Sequence, residues 1–155
     1  MTTDYFAELY RYDSLMNRRV LEQLRSLDRL DERGRKILSH LLQAQKLWLM
    51  RMQGEDYRSL VVWPELSWEE CEEVIKRNTL EWDTFIAELE EEELDREITY
   101  RTSKGDEFRS SFRQILTHVL LHGSYHRGQL ALTVRQSGEE PLLTDYIAWV
   151  REQSE

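Results

Sequence analysis

The sequence predicts an all-α protein, a four-helix bundle closed by a short C-terminal helix. Apolar residues recur at steps of three and four in four long segments, the period of a helix with one buried face. Only six Gly and two Pro occur in 155 residues, too few for the many turns of an all-β chain. Charged residues make up 33% and hydrophobic residues 40%, a mixture suited to long half-solvated helices and not to a disordered chain.

Helix 1 is expected over about residues 3–27, where Phe6, Leu9, Tyr10, Met16, Val20 and Leu24 mark the apolar stripe. Helix 2 is expected from near Asp31, a competent N-cap, to about Gly54. Ile37, Leu41, Ala44, Trp48 and Met52 form its inner face, with His40 at the border. A connection containing Pro64 follows, from Glu55 to Leu66. Ser67 with Glu70 spells a capping box and opens helix 3, whose stripe includes Cys71, Ile75, Trp82 and Ile86. That helix should end near the acidic run Glu90 to Glu93. Consecutive helical residues point in different directions, so these four carboxylates cannot converge on an ion, and the run reads as a solvated terminus. Alternation over Arg96 to Arg101, followed by Lys104-Gly105-Asp106, predicts a short hairpin within 96–109. Ser111 with Gln114 is a second capping box, opening a helix 4 that runs to Gly138. A last short helix is expected from Thr144 to about Glu152, capped by Thr144 or Asp145.

A chain of this length suits one domain, 1–155, and buries roughly two-thirds of its unfolded surface without a disulfide. The net charge is −9, from 30 acidic and 21 basic residues, with no run of Lys or Arg. Such a surface argues against nucleic acid and anionic membrane as partners. Cys71 is the single cysteine and reads as an inert core thiol. No secretory pattern opens the chain and no apolar run approaches the ~18 residues of a membrane span, so a cytoplasmic location is expected.

The chain has four histidines. His118, His122 and His126 stand at successive four-residue steps in one helix. Residues at i and i+4 lie about 6 Å apart at Cβ, which lets two imidazoles reach one ion at ~2.0–2.1 Å. The HExxH metalloprotease motif shares that geometry, but Gly123 stands where that motif has Glu, so a metalloprotease is excluded. A third ligand must come from another helix, and His40 is the one histidine left. Spacing alone does not choose between the His118/His122 and His122/His126 pairs. All three do not comfortably reach one ion, since i and i+8 are about 12 Å apart. On spacing alone, hydrogen-bonded core histidines account for the ladder as well as a metal site does.

The stretch His118-Val-Leu-Leu-His122-Gly-Ser-Tyr-His126-Arg-Gly-Gln129 resembles the signature of the DinB/YfiT-like superfamily. Tyr12-Asp-Ser-Leu-Met-Asn17, the segment His40 to Arg51 with its Trp48, and Thr144-Asp145-Tyr146-Ile147 resemble its other motifs in order, so the likeness spans nearly the whole chain. The resemblance implies an up-down-down-up bundle, with residues 54–66 crossing it between helices 2 and 3. It implies one divalent metal ion, zinc or nickel, held by His40, His122 and His126, and leaves His118 as a packing or supporting histidine. Members of this superfamily often form dimers, pairing helices 1 and 4, so a homodimer is expected. Some are thiol transferases and many have no known activity.

The implied function is therefore a metal-dependent enzyme, a thiol S-transferase acting on small electrophiles or a hydrolase. The alternative is a non-catalytic metal-binding or structural homodimer. A small thiol or another small molecule is the expected substrate. No catalytic acid or base is identified, Tyr125 and Asp145 being the nearest candidates. Arg127 is expected to pair with an acidic neighbour or with the partner subunit, Gly128 to permit close helix approach, and Gln129 to hydrogen-bond near the site or simply pack.

Overall fold

A computed structural model describes residues 1–27 and 32–154. Among the described residues the helices are α1 (Thr3–Ser26), α2 (Glu32–Gln53), α3 (Trp68–Ala87), α4 (Phe112–Gln136) and α5 (Tyr146–Glu152). A 3₁₀ turn, Glu91–Asp95, and an antiparallel hairpin of β1 (Glu97–Arg101) and β2 (Glu107–Ser111) separate α3 from α4. The structure is 69% helical, so the expected mostly-α bundle with one short hairpin is present.

Local chemistry sets the element ends. Ser67 Oγ accepts from the Glu70 amide at 3.1 Å while Glu70 accepts from the Ser67 amide at 2.7 Å, so α3 begins with both halves of its capping box. Ser111 and Gln114 do the same for α4, at 3.3 and 2.9 Å. Gly54 and Gly138 carry φ of 73° and 91° just past α2 and α4, the left-handed step that ends a helix. The Asp31 cap lies outside the described residues. Asp145, one of the two expected caps, occupies the N-cap of α5, but its side chain makes no capping hydrogen bond. Tyr146 donating to Glu8, and Tyr12 donating to the Thr144 carbonyl, tie it to α1 instead. The acidic run is partly engaged, since Glu91 accepts from the Thr3 amide at 2.8 Å.

Contacts along the helices give their directions. Tyr10 meets Leu116 and Asp13 meets Arg127, so α1 and α4 run parallel. Ser39 meets Cys71 and Leu42 meets Asn78, so α2 and α3 also run parallel. Arg25 at the end of α1 pairs with Glu69 at the start of α3, which makes that pair antiparallel. Trp48 packs on His118 and His40 on His126, which makes α2 and α4 antiparallel. The result is up-down-down-up, with α1 and α2 on a diagonal.

Two apolar clusters fill the bundle. One is built around Phe6, Tyr10, Trp82 and Phe112, the other around Leu24, Leu38, Leu41 and Leu130. Between them lies a polar layer to which all four long helices contribute. Arg127 Nη1 donates to Asp13 Oδ1 at 2.6 Å and to Asn17 Oδ1 at 2.7 Å. Gln45 and Asn17 both donate to Asp13 Oδ2, and Asn78 donates to the Leu42 carbonyl at 2.9 Å. Arg127 and Asp13 are each 2% exposed in their side chains.

Gly128 was expected to allow close helix approach, and the structure overturns this. A Cβ at Gly128 would meet nothing within 4 Å, whereas one at Gly123 would lie 2.7 Å from Asp13 Oδ1 and 3.1 Å from Arg127 Nη1. Gly123 is the residue that lets the buried pair sit in the α1/α4 seam.

Removing one member of a buried ion pair strands the other charge, at a cost of about 3–5 kcal/mol. Asp13→Ala is therefore expected to lower Tm by roughly 6–20 °C. The double variant Asp13→Leu/Arg127→Met should recover part of that loss, because the charge leaves with its partner. Thermal melts of the three proteins check this, and a double variant worse than Asp13→Ala would contradict it.

Candidate metal centre

The α2/α4 seam brings His40 opposite His122 and His126. One nitrogen from each ring lies within 4.8 Å of the others, and the ring centroids are 4.4 to 5.2 Å apart. His122 Nε2 and His126 Nε2 are 3.0 Å apart. Two nitrogens ~2.1 Å from one ion, at angles of ~90–109°, would be ~3.0–3.4 Å apart. The His122/His126 pair therefore has the spacing that one small divalent ion needs.

The outer nitrogens of His40 and His126 are held by partners that fix the tautomers. His40 Nδ1 lies 2.9 Å from the Val62 carbonyl. A carbonyl only accepts, so Nδ1 carries the proton and Nε2 keeps its lone pair facing the cluster. His126 Nδ1 lies 2.8 Å from Gln129 Oε1, with the same consequence. Gln129 Nε2 in turn donates to the Tyr125 hydroxyl at 3.1 Å. With His126 Nε2 accepting, His122 Nε2 donates across the 3.0 Å gap. A metal would take the place of that proton.

All three rings are held neutral. Burial lowers the His40 pKa against the raising effect of Val62, and burial lowers that of His126 against Gln129. His122 is pushed down to about 4, by burial first and then by its histidine neighbours. Neutral imidazoles are the form that binds metal.

His118 stands one turn away and outside the cluster. Its ring packs edge-on against Trp48 at 5.1 Å, and burial, with Arg51 nearby, lowers its pKa. Tyr125 sits at the rim, 64% exposed, with its ring 5.1 Å from His126. Asp145 lies on the α1/α4 seam with Tyr12 and Tyr146, not on the α2/α4 seam that holds the histidines. Arg127 has its acidic partner in Asp13 of α1.

The DinB family model matches residues 2–155. The chain belongs to the DinB family. It is 22% identical over 161 residues to Protein DinB of Bacillus subtilis (strain 168), an alignment covering 93% of this chain and 92% of the relative. The DinB family match and the histidine cluster are together compatible with metal binding.

Two features of this DinB family member escaped the sequence. Trp63 stacks flat on His40, with ring centroids 3.7 Å apart and planes 4° from parallel. It lies in the connection between α2 and α3, where no periodicity signals a contact. The polar layer did leave a signal. Asp13 and Asn17 fall on the α1 stripe between Tyr10 and Val20, at steps of three and four, where only apolar residues are expected.

Nitrogen-15 NMR of metal-free protein is expected to show His40 and His126 as Nδ1–H tautomers and His122 as Nε2–H. A rapidly averaging mixture at His40 would contradict its hydrogen bond to Val62.

Proposed function

We propose that the chain holds one divalent ion, zinc or nickel, through Nε2 of His40, His122 and His126, and performs chemistry on a small molecule there. The observation supporting this is the convergence of three neutral imidazoles, two of which, His40 and His126, have their outer nitrogens already engaged. Three protein ligands leave coordination positions free, the pattern of a catalytic centre. The all-imidazole set accommodates both metals.

The ion, when bound, supplies Lewis-acid polarisation and lowers the pKa of a bound water or thiol. The chain's own residues hold the ligands. Val62 and Gln129 keep His40 and His126 in the binding tautomer, and such partners raise ligand basicity. Tyr125, at the exposed rim and linked to His126 through Gln129, is placed to meet a substrate. The reaction we favour is transfer of a small thiol to an electrophile, with hydrolysis as the second reaction class the site would serve. Membership of the DinB family supports the metal; the thiol is inferred from the superfamily resemblance.

The reading includes a homodimer. Leu121, Gly128 and Leu132 line the outer face of α4, and the two leucines are exposed. A two-fold axis would set this stripe against its own copy. Among the described residues no helix is long and apolar enough to cross a membrane.

Untagged protein should carry one zinc or nickel per chain by elemental analysis. Alanine at His40, His122 or His126 should abolish stoichiometric metal, while His118→Ala retains it. Loss in His118→Ala with retention in His126→Ala would shift the ligand pair by one turn. Cobalt-substituted protein should change its visible spectrum on addition of a small thiol; metal without any thiol or substrate response would favour a non-catalytic role. Light scattering at micromolar concentration should give a dimer mass, reduced to a monomer by Leu121→Glu/Leu132→Glu.

A further inference from the structure

We infer that Trp63 is a positioning residue for His40, and that residues 62–64 form a clamp that sets how tightly the histidine cluster holds its ion. The inference rests on the metal-binding reading above. Its geometry is independent of any ion.

Trp63 is 59% exposed, and it packs in neither apolar cluster. Its ring contacts are with the site instead, flat on His40 at 3.7 Å and edge-on to His126 at 6.3 Å. Core packing therefore does not explain its place. The preceding residue, Val62, supplies the carbonyl that takes the His40 Nδ1 proton. Two adjacent residues thus grip one imidazole by its edge and its face. Pro64 follows, and a residue before proline is confined to extended backbone, which keeps the Val62 carbonyl and the Trp63 ring in fixed relation.

The segment is anchored on both sides of the grip. Beyond it, Glu65 pairs with Lys36 at 2.9 Å and the Leu66 carbonyl accepts from Arg35 at 3.1 Å. Before it, the Tyr57 hydroxyl accepts from the Arg101 amide at 3.0 Å, and the Tyr57 ring lies under the Arg51 guanidinium. His40 is the ligand that most needs such support. His122 and His126 are placed by their spacing on one helix, whereas His40 stands alone on α2. The stack also discriminates between states. An imidazole that carries an ion is electron-poor and is attracted more strongly to the face of an indole.

The test uses the full chain with Trp63→Ala and Trp63→Phe. Zinc affinity is measured by chelator competition, and the His40 tautomer by nitrogen-15 NMR of the metal-free proteins. Trp63→Ala should weaken zinc binding by about 10–100-fold, speed its release and blur the His40 tautomer. Trp63→Phe should restore affinity to within about threefold, because a ring face is what the stack needs. The thermal melt of the metal-free alanine variant should match the parent, since the ring lies outside the core. Parental affinity together with a parental His40 tautomer in Trp63→Ala would overturn the inference. Should the parent itself bind neither zinc nor nickel, the metal reading fails. The clamp is then overturned if metal-free Trp63→Ala keeps one His40 tautomer, and upheld as a grip on the imidazole if it does not.

Discussion

The buried pair of Arg127 and Asp13 constrains everything else in the bundle. Two charges taken out of water are tolerated only in close geometry with good supporting hydrogen bonds. Asn17 accepts from Arg127 Nη1 and Gln45 donates to Asp13, while Arg127 Nε and Nη2 are buried without a hydrogen-bond partner; the pair fixes α1 against α4 and draws α2 into the same register. Gly123 is the space that makes it fit. The consequence for the site follows from helix geometry. Successive residues are 100° apart around a helix. With Arg127 directed at α1, His126 is turned toward α2, and His122, one turn earlier, follows it. A salt bridge with no chemistry of its own thus aims the histidines.

Neutrality is the second condition. Three imidazoles within 4.8 Å would repel one another if protonated. Burial suppresses that charge, most strongly at His122, the ring with histidines on three sides. The hydrogen bonds at the outer nitrogens then decide which lone pair faces inward. A carbonyl at Val62 and an amide oxygen at Gln129 perform the same task from a loop and from the same helix.

Much of this was legible in the residues. Both capping boxes, the hairpin and the helix spans were readable because each depends on neighbours within a few positions. The histidine ladder was legible as a possibility of chemistry, but spacing left two pairs open, and only the superfamily resemblance singled out His122 and His126 with His40. What stayed hidden depends on rotation and on distant contacts. Gly123 and Gly128 are both glycines of α4, and only the direction of the α1 seam tells them apart. Asp13 and Asn17 broke the apolar stripe visibly, yet their partner lies more than a hundred positions away. Trp63 sits in a connection with no period from which to infer a neighbour.

That connection follows from the topology itself. Parallel α2 and α3 require the chain to return from Gly54 at the end of α2 to Ser67, beside Arg35 near its start. The return covers about 19 helical residues, roughly 28 Å at 1.5 Å per residue. Thirteen residues extended reach about 43 Å, enough to make the crossing along the bundle. Its path passes the level of His40 with backbone unpaired by any helix or sheet. Unpaired carbonyls need donors, and the exposed edge of His40 is one. The up-down-down-up order therefore does more than close the bundle. It carries a strip of extended chain past the one ligand that α2 contributes, and there Val62 and Trp63 take hold of it.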